Sequence, residues 1–119
     1  MNEKNFPLSK EQTLALIERY PTPFHIYDEA KIRANFRRLR DAFAWAPSFR
    51  EHFAVKALPN PRIVQILHEE GAGTDCSSIA ELIISEAAGV MGEEIILSSN
   101  DTPYDEFQKA IALGAVINL

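Results

Sequence analysis

The chain has 119 residues, 46% hydrophobic and 24% charged, the profile of one globular domain with a single core rather than of a disordered or fibrous segment. A net charge of -5 argues against general nucleic-acid binding. The single cysteine, Cys76, excludes an internal disulfide framework, the three histidines (His25, His52, His68) share no metal-ligand spacing with it, and no apolar run approaches the roughly 20 residues of a membrane span.

The polar start, residues 1–12, lacks the apolar stretch of a signal peptide, so a cytoplasmic α/β chain is expected. Ser9-x-x-Gln12 is a capping box and predicts a short helix over 9–20, stopped by Pro21 and Pro23. Phe24–Tyr27, aromatic and β-branched, predicts a short strand. Asp28 is placed to cap a longer helix whose apolar stripe is Ile32, Phe36, Leu39 and Phe43. Trp45 is expected to pack at the end of that helix.

From there the chain falls into a rhythm. His52–Lys56 reads as a strand. Asn60-Pro61 starts a helix through Ile63, Val64, Ile66 and Leu67, and Gly71 ends it. Thr74–Cys76 reads as a strand, and Ser78-x-x-Glu81 is a second capping box. Glu94–Leu97 is a strand. Asp101-Thr102-Pro103 opens a helix through Phe107, Ala110, Ile111 and Leu113, closed by Gly114. Ala115–Leu119 is a last strand.

The steps from Lys56 to Asp75, Asp75 to Leu97 and Leu97 to Ile117 are 19, 22 and 20 residues. Strand, helix, strand at a near-constant period predicts parallel strands with right-handed crossovers. The strands read as apolar without alternation, as in a sheet covered on both faces. Short, even units without a Gly-rich first turn favour a (β/α)8 TIM barrel over a doubly wound sheet. Four strands make half of such a barrel, so the sequence predicts the front part of a larger enzyme. Residues 1–27 would be a leading helix and lead-in strand, and 28–119 the barrel helices and first four strands. The unpaired edge at Val116–Leu119 predicts aggregation or dye binding by the chain alone. A small complete α/β domain is the other reading.

Lys56 closes the apolar run Phe53-Ala54-Val55, at the carboxyl end of a parallel strand, where barrels place their active sites. Desolvation there would favour a neutral amine able to attack an aldehyde and form a Schiff base. A lysine marking the strand's exit to solvent fits the spacing equally. Asp75, in the next strand segment, reads from the residues alone as a carboxylate capping the following helix.

Three blocks carry a family resemblance. Phe53-Ala54-Val55-Lys56-Ala57 followed by Pro59-Asn60-Pro61 resembles the pyridoxal-phosphate lysine motif of the alanine-racemase-like (fold-type III) barrel decarboxylases. Gly71-Ala72-Gly73-Thr74-Asp75-Cys76-Ser77-Ser78 with Glu81-Leu82 resembles their second-strand motif, and Thr22–Asp28 their lead-in segment. The Lys56–Pro61 run is most similar to the diaminopimelate decarboxylase branch, with ornithine, arginine, carboxynorspermidine and D-amino-acid decarboxylases as near relatives. Alanine racemase fits less well, because Leu58-Pro59-Asn60 replaces its usual run after the lysine.

The resemblance implies that Lys56 holds pyridoxal 5'-phosphate as an internal aldimine and that Asp75 supports it at the cofactor. It implies conversion of meso-diaminopimelate to L-lysine and carbon dioxide, a small amino-acid substrate, and a homodimer sharing its active sites. It places the phosphate loop, the ring-stacking histidine, the acid at the pyridine nitrogen and the substrate arginines beyond Leu119, so the 119 residues alone should be inactive. Ser98-Ser99-Asn100-Asp101 stands where many diaminopimelate decarboxylases carry Gly-Asn-x-Lys, and only the asparagine is kept. A non-catalytic truncated paralogue pairing with a full-length subunit is the alternative of another class.

Other signals are weaker. Gly71-Ala72-Gly73 precedes a strand and lacks the third glycine, so it is no dinucleotide fingerprint. Lys31, Arg33, Arg37, Arg38 and Arg40 read as a solvated helix face. Ser77 and Ser78 read as caps, and Cys76 as a small buried residue. No metal site, membrane contact or nucleic-acid partner is expected.

Overall fold

A computed structural model describes residues 6–119. The helices are α1 (Lys10–Arg19), α2 (Glu29–Ala42), α3 (Pro61–Glu69), α4 (Ile79–Ala87) and α5 (Tyr104–Leu113). The strands are β1 (His52–Ala54), β2 (Gly73–Cys76), β3 (Ile95–Ser98) and β4 (Val116–Asn118). All four pair in parallel, in the order β1-β2-β3-β4. A doubly wound sheet reverses its strand order at a switch point, whereas a barrel runs in chain order. The order here is that of a barrel sector.

Local signals hold at most boundaries. Ser9 accepts from the Gln12 N–H at 3.2 Å while the Gln12 side chain accepts from the Ser9 N–H at 2.8 Å. Asp28 accepts from the Lys31 N–H at 3.1 Å, and Asn60 from the Arg62 N–H at 3.0 Å. Gly114 closes α5 with φ 72°, a left-handed conformation that suits a residue without a side chain.

The pairing decides which side chains reach the core. Phe53 sits beside Thr74, Thr74 beside Ile95, and Leu97 beside Ile117. That row faces the helices, where Cys76, Ile95 and Leu97 pack with Val55, Val64, Leu82, Val90, Ala110 and Leu113. Burial alternates along β3, and in β2 Asp75 alone is less than buried, so among the described residues helices cover one face of the sheet. This corrects the expectation of strands covered on both faces. The residues between, such as Asp75 and Ser98, carry the alternation in polarity that marks an open face.

Four further expectations are corrected. Residues 24–27 run without strand pairing, since no neighbouring strand offers a ladder there. β1 stops at Ala54, and Val55–Ala57 turn into a 3-10 segment. The last helix is capped by neither Asp101 nor Thr102; its cap position is Pro103, which has no side-chain acceptor. Trp45 is 78% exposed, its ring 6.3 Å from that of Phe43 at the end of α2.

The basic residues of α2 do more than face water. Arg33 binds Glu29 at 2.7 Å and Glu70 at 3.0 Å, and a third carboxylate, Glu69. Arg37 grips Glu70 with two bonds of 2.6 and 2.7 Å. Only Phe36 of α2 is fully buried, in a cluster with Ile63, Ile66 and Leu67, and these pairs add an ionic fastening of α2 to α3 at its rim. The two guanidinium groups hold the Glu70 carboxyl at about 2, below its ordinary 4.5. A carboxyl lowered on folding contributes stability above its unfolded value and loses it as pH falls through the folded one. Acid titration of stability should therefore show a loss between about pH 4.5 and 2 that Glu70→Gln flattens. Parallel curves for the two proteins would contradict the network.

Candidate active site

The open face of the sheet is where a reacting group could sit. It carries His52, Gly73 and, one layer up, Ala54 beside Asp75, with Ile96 beside Val116 and Ser98 beside Asn118. Small residues keep the lower layers low. A Cβ at Gly73 would run into the His52 ring and the Glu94 carbonyl, so only glycine lets the imidazole lie over β2. His52 Nδ1 lies 3.5 Å from the Thr74 carbonyl.

At the carboxyl edge the residues turn polar. Lys56 stands two residues beyond Ala54, the register partner of Asp75. Ser98 and Asn118 are paired, with the Asn118 amide donating to the Ser98 hydroxyl at 3.5 Å. Lys56, in the turn just past β1, and Asp75, on β2, therefore lie at the same end of the sheet. Asp75 is partly buried. Lys56 is exposed in the 3-10 turn, which corrects the expectation of a lysine ending the strand itself and desolvated there. Asp75 is not the cap of α4. Ser78 holds that role, accepting from the Glu81 N–H at 3.4 Å.

The turn between β2 and α4 is held more tightly than the capping-box pattern predicts. The Glu81 carboxylate accepts from the Ser77 N–H at 3.2 Å, the Ser77 hydroxyl at 2.9 Å and the Ser78 hydroxyl at 3.0 Å. In a reciprocal box it would take the Ser78 N–H instead. Glu106, on α5, accepts from the Ile79 N–H at 2.8 Å. Sequence reasoning did not reach Glu106, because its partner lies 27 residues away and no local spacing marks it. The polar face residues His52, Ser98 and Asn118 were also missed; the signal available was their alternation with apolar neighbours.

Among the described residues no group of three metal-ligating side chains converges, and no helix is long and apolar enough to cross a membrane. The donor set suits an aldehyde-bearing cofactor instead. An exposed primary amine follows β1, small residues, Ala54 and Gly73, occupy the open face of β1 and β2, and a carboxylate, Asp75, lies on β2 at the same end.

Residues 29–117 match the family model for the pyridoxal binding domain of pyridoxal-dependent decarboxylases. The chain belongs to that family. It is 47% identical over 112 residues to Protein TabA of Pseudomonas amygdali pv. tabaci, covering 94% of this chain and 26% of that protein. It is 36% identical over 103 residues to diaminopimelate decarboxylase of Thermoplasma acidophilum, covering 87% and 25%. The crystal structure of lysine decarboxylase from Selenomonas ruminantium superposes with a TM-score of 0.84 at 28% identity, over 96% of this chain and 30% of that one. The chain thus spans about a quarter of the length of the curated relatives it matches. The matched residues include Lys56 and reach from before β1 into β4.

Cys76 takes no part in the open face. It is fully buried, its sulfur 3.2 Å from the Ser85 hydroxyl, and burial pushes its thiol up from the ordinary value. The thiolate is the reactive form. A disulfide reagent at neutral pH should modify native Cys76 at least about 100-fold more slowly than the unfolded chain. Equal rates would show that the helix-facing core is not closed.

Proposed function

We propose that Lys56 is the covalent anchor for pyridoxal 5'-phosphate in an amino-acid carboxy-lyase. The observation that supports this is the place of Lys56: a reachable amine at the carboxyl edge of a barrel-ordered sheet, one strand from Asp75. Residues 28–119 would be the first four strands of the barrel with their helices, and residues 1–27 a leading segment. When bound, the cofactor supplies an electron-accepting ring that lets a carboxylate leave as carbon dioxide.

The chain's own residues do the rest. Lys56 offers a primary amine that can bond an aldehyde carbon and be displaced by a substrate amine. Asp75, at the register position of Ala54 on β2, would orient the Lys56 amine toward the cofactor. Ala54 and Gly73 leave room above the sheet, and His52 closes that room toward the amino ends of the strands. The polar pair Ser98 and Asn118 can bind hydrophilic parts of a ligand at the rim.

The substrate we favour is meso-diaminopimelate, giving L-lysine and carbon dioxide, with a proton replacing the lost carboxylate. The likeness to a diaminopimelate decarboxylase supports it. Another basic amino acid, lysine or ornithine, is the second reading, supported by the fold match to a lysine decarboxylase and by Ser98-Ser99-Asn100-Asp101 at the rim. The working protein would be a cytoplasmic homodimer.

Carbon dioxide release tests the reading. The full-length protein supplied with pyridoxal phosphate should release it faster from meso-diaminopimelate than from L-lysine or L-ornithine. Lys56→Arg should lower the rate by at least about 1,000-fold, the scale of losing a covalent nucleophile. Release from L-lysine or L-ornithine alone would overturn the substrate, and an active Lys56→Arg protein would overturn the anchor.

A further inference from the structure

Glu106 is a buried acid with an unusual position. Its side chain is only 7% exposed, yet it comes from α5 and reaches across to the first residue of α4. Oε1 accepts from the Ile79 N–H at 2.8 Å, and Oε2 is buried without a hydrogen-bond partner among the described residues. A buried carboxylate oxygen lacking a donor costs stability, so an apolar or shorter residue would serve the core better. What the group does accomplish is local. The first amides of α4 have no partner within the helix, and Ser78 satisfies only that of Glu81. Glu106 takes the amide of Ile79.

The consequence reaches the open face. Residues 77 and 78 are the whole connection between β2 and α4. Glu81 ties this turn through Ser77 and Ser78, and Glu106 ties the first residue of α4 from a different helix. Asp75 lies two residues before the turn, with Cys76 between, locked in the core against Ser85. A turn pinned from two sides leaves the end of β2 little freedom. We propose that Glu106 is a positioning residue: by holding the α4 start it fixes the β2–α4 turn and so keeps Asp75 in place beside Lys56.

This rests on Lys56 as the cofactor anchor, and the experiment separates the two claims. The intact protein is mixed with pyridoxal phosphate and reduced with borohydride at timed intervals, and the adduct is mapped by mass spectrometry. Amide hydrogen exchange is followed at residues 75–80 of the cofactor-free protein. Glu106→Ala removes the acceptor. Glu106→Gln removes the charge but keeps an oxygen for the Ile79 N–H. Leu113→Ala lowers stability from a core position of the same helix, away from the turn.

Glu106→Ala should speed exchange at Ile79 about fivefold, the scale of losing one helix cap, and slow adduct formation on Lys56 by a similar factor. Glu106→Gln should restore both, and Leu113→Ala should leave the adduct rate unchanged. Asp75→Asn should slow the adduct as well, and the double variant with Glu106→Ala should be no slower than Asp75→Asn alone, because both act through one carboxylate. A Glu106→Ala protein trapped at the wild-type rate, or a double variant with multiplied losses, overturns the positioning role while leaving the anchor intact. A wild-type protein with no adduct at Lys56 overturns the anchor and this role with it.

Discussion

The pleat of a parallel sheet divides this chain's residues between two tasks. Successive side chains point to opposite faces, and in-order pairing puts like with like across all four strands. Cys76, Ile95, Leu97 and Ile117 go to the helices and hold the fold, while Asp75 and Ser98 go to the open side. A slip of one residue in β2 would send Asp75 into the apolar core and Thr74 to the open face. The position of the carboxylate therefore depends on the burial of Cys76 and Leu97, which set the register.

That division links stability to function without a shared residue. The core clusters stabilise the body through α3, α4 and α5, and the site hangs on the turns at the carboxyl ends of the strands. These turns are short and pinned by side chains: the 3-10 segment after β1 carries Lys56, and the β2–α4 turn is tied by Glu81 and Glu106. α2 is held differently. Its attachment to α3 combines the packing of Ile32 and Phe36 on Ile63, Ile66 and Leu67 with the ion pairs of Arg33 and Arg37, and beside it lies an apolar groove of about 420 Å³ lined by residues such as Ile32, Phe36, Phe53 and Leu58. Charge pairs at partly exposed positions weaken with salt and acid, so α2 should be the first element of the body to loosen.

Much of this was legible in the sequence because the signals were local. Capping residues Ser9, Asp28, Asn60 and Ser78 mark helix starts through bonds spanning two or three residues, and the even spacing of strands gave the parallel order. The motif around Lys56 singled out the proposed anchor, and residues 29–117, which include it, match the model of a pyridoxal binding domain. What escaped was set by distant partners. The aromatic run at 24–27 has strand-like residues but no strand to pair with. Trp45 has the bulk for a core position, but little of the described chain packs against it. The strands looked apolar throughout because three or four residues show too little alternation to separate one covered face from two. Arg33 and Arg37 looked like solvated charge because Glu70 lies more than 30 positions away. Glu106 was invisible for the same reason.

The central claim is that the open face holds pyridoxal phosphate through one amine. The most direct measurement is borohydride reduction of the protein with pyridoxal phosphate, followed by peptide mapping of the pyridoxyl group. The account predicts one modified residue, Lys56, reached ahead of Lys10, Lys31 and Lys109. A label spread over the lysines, or concentrated on any other, would contradict it.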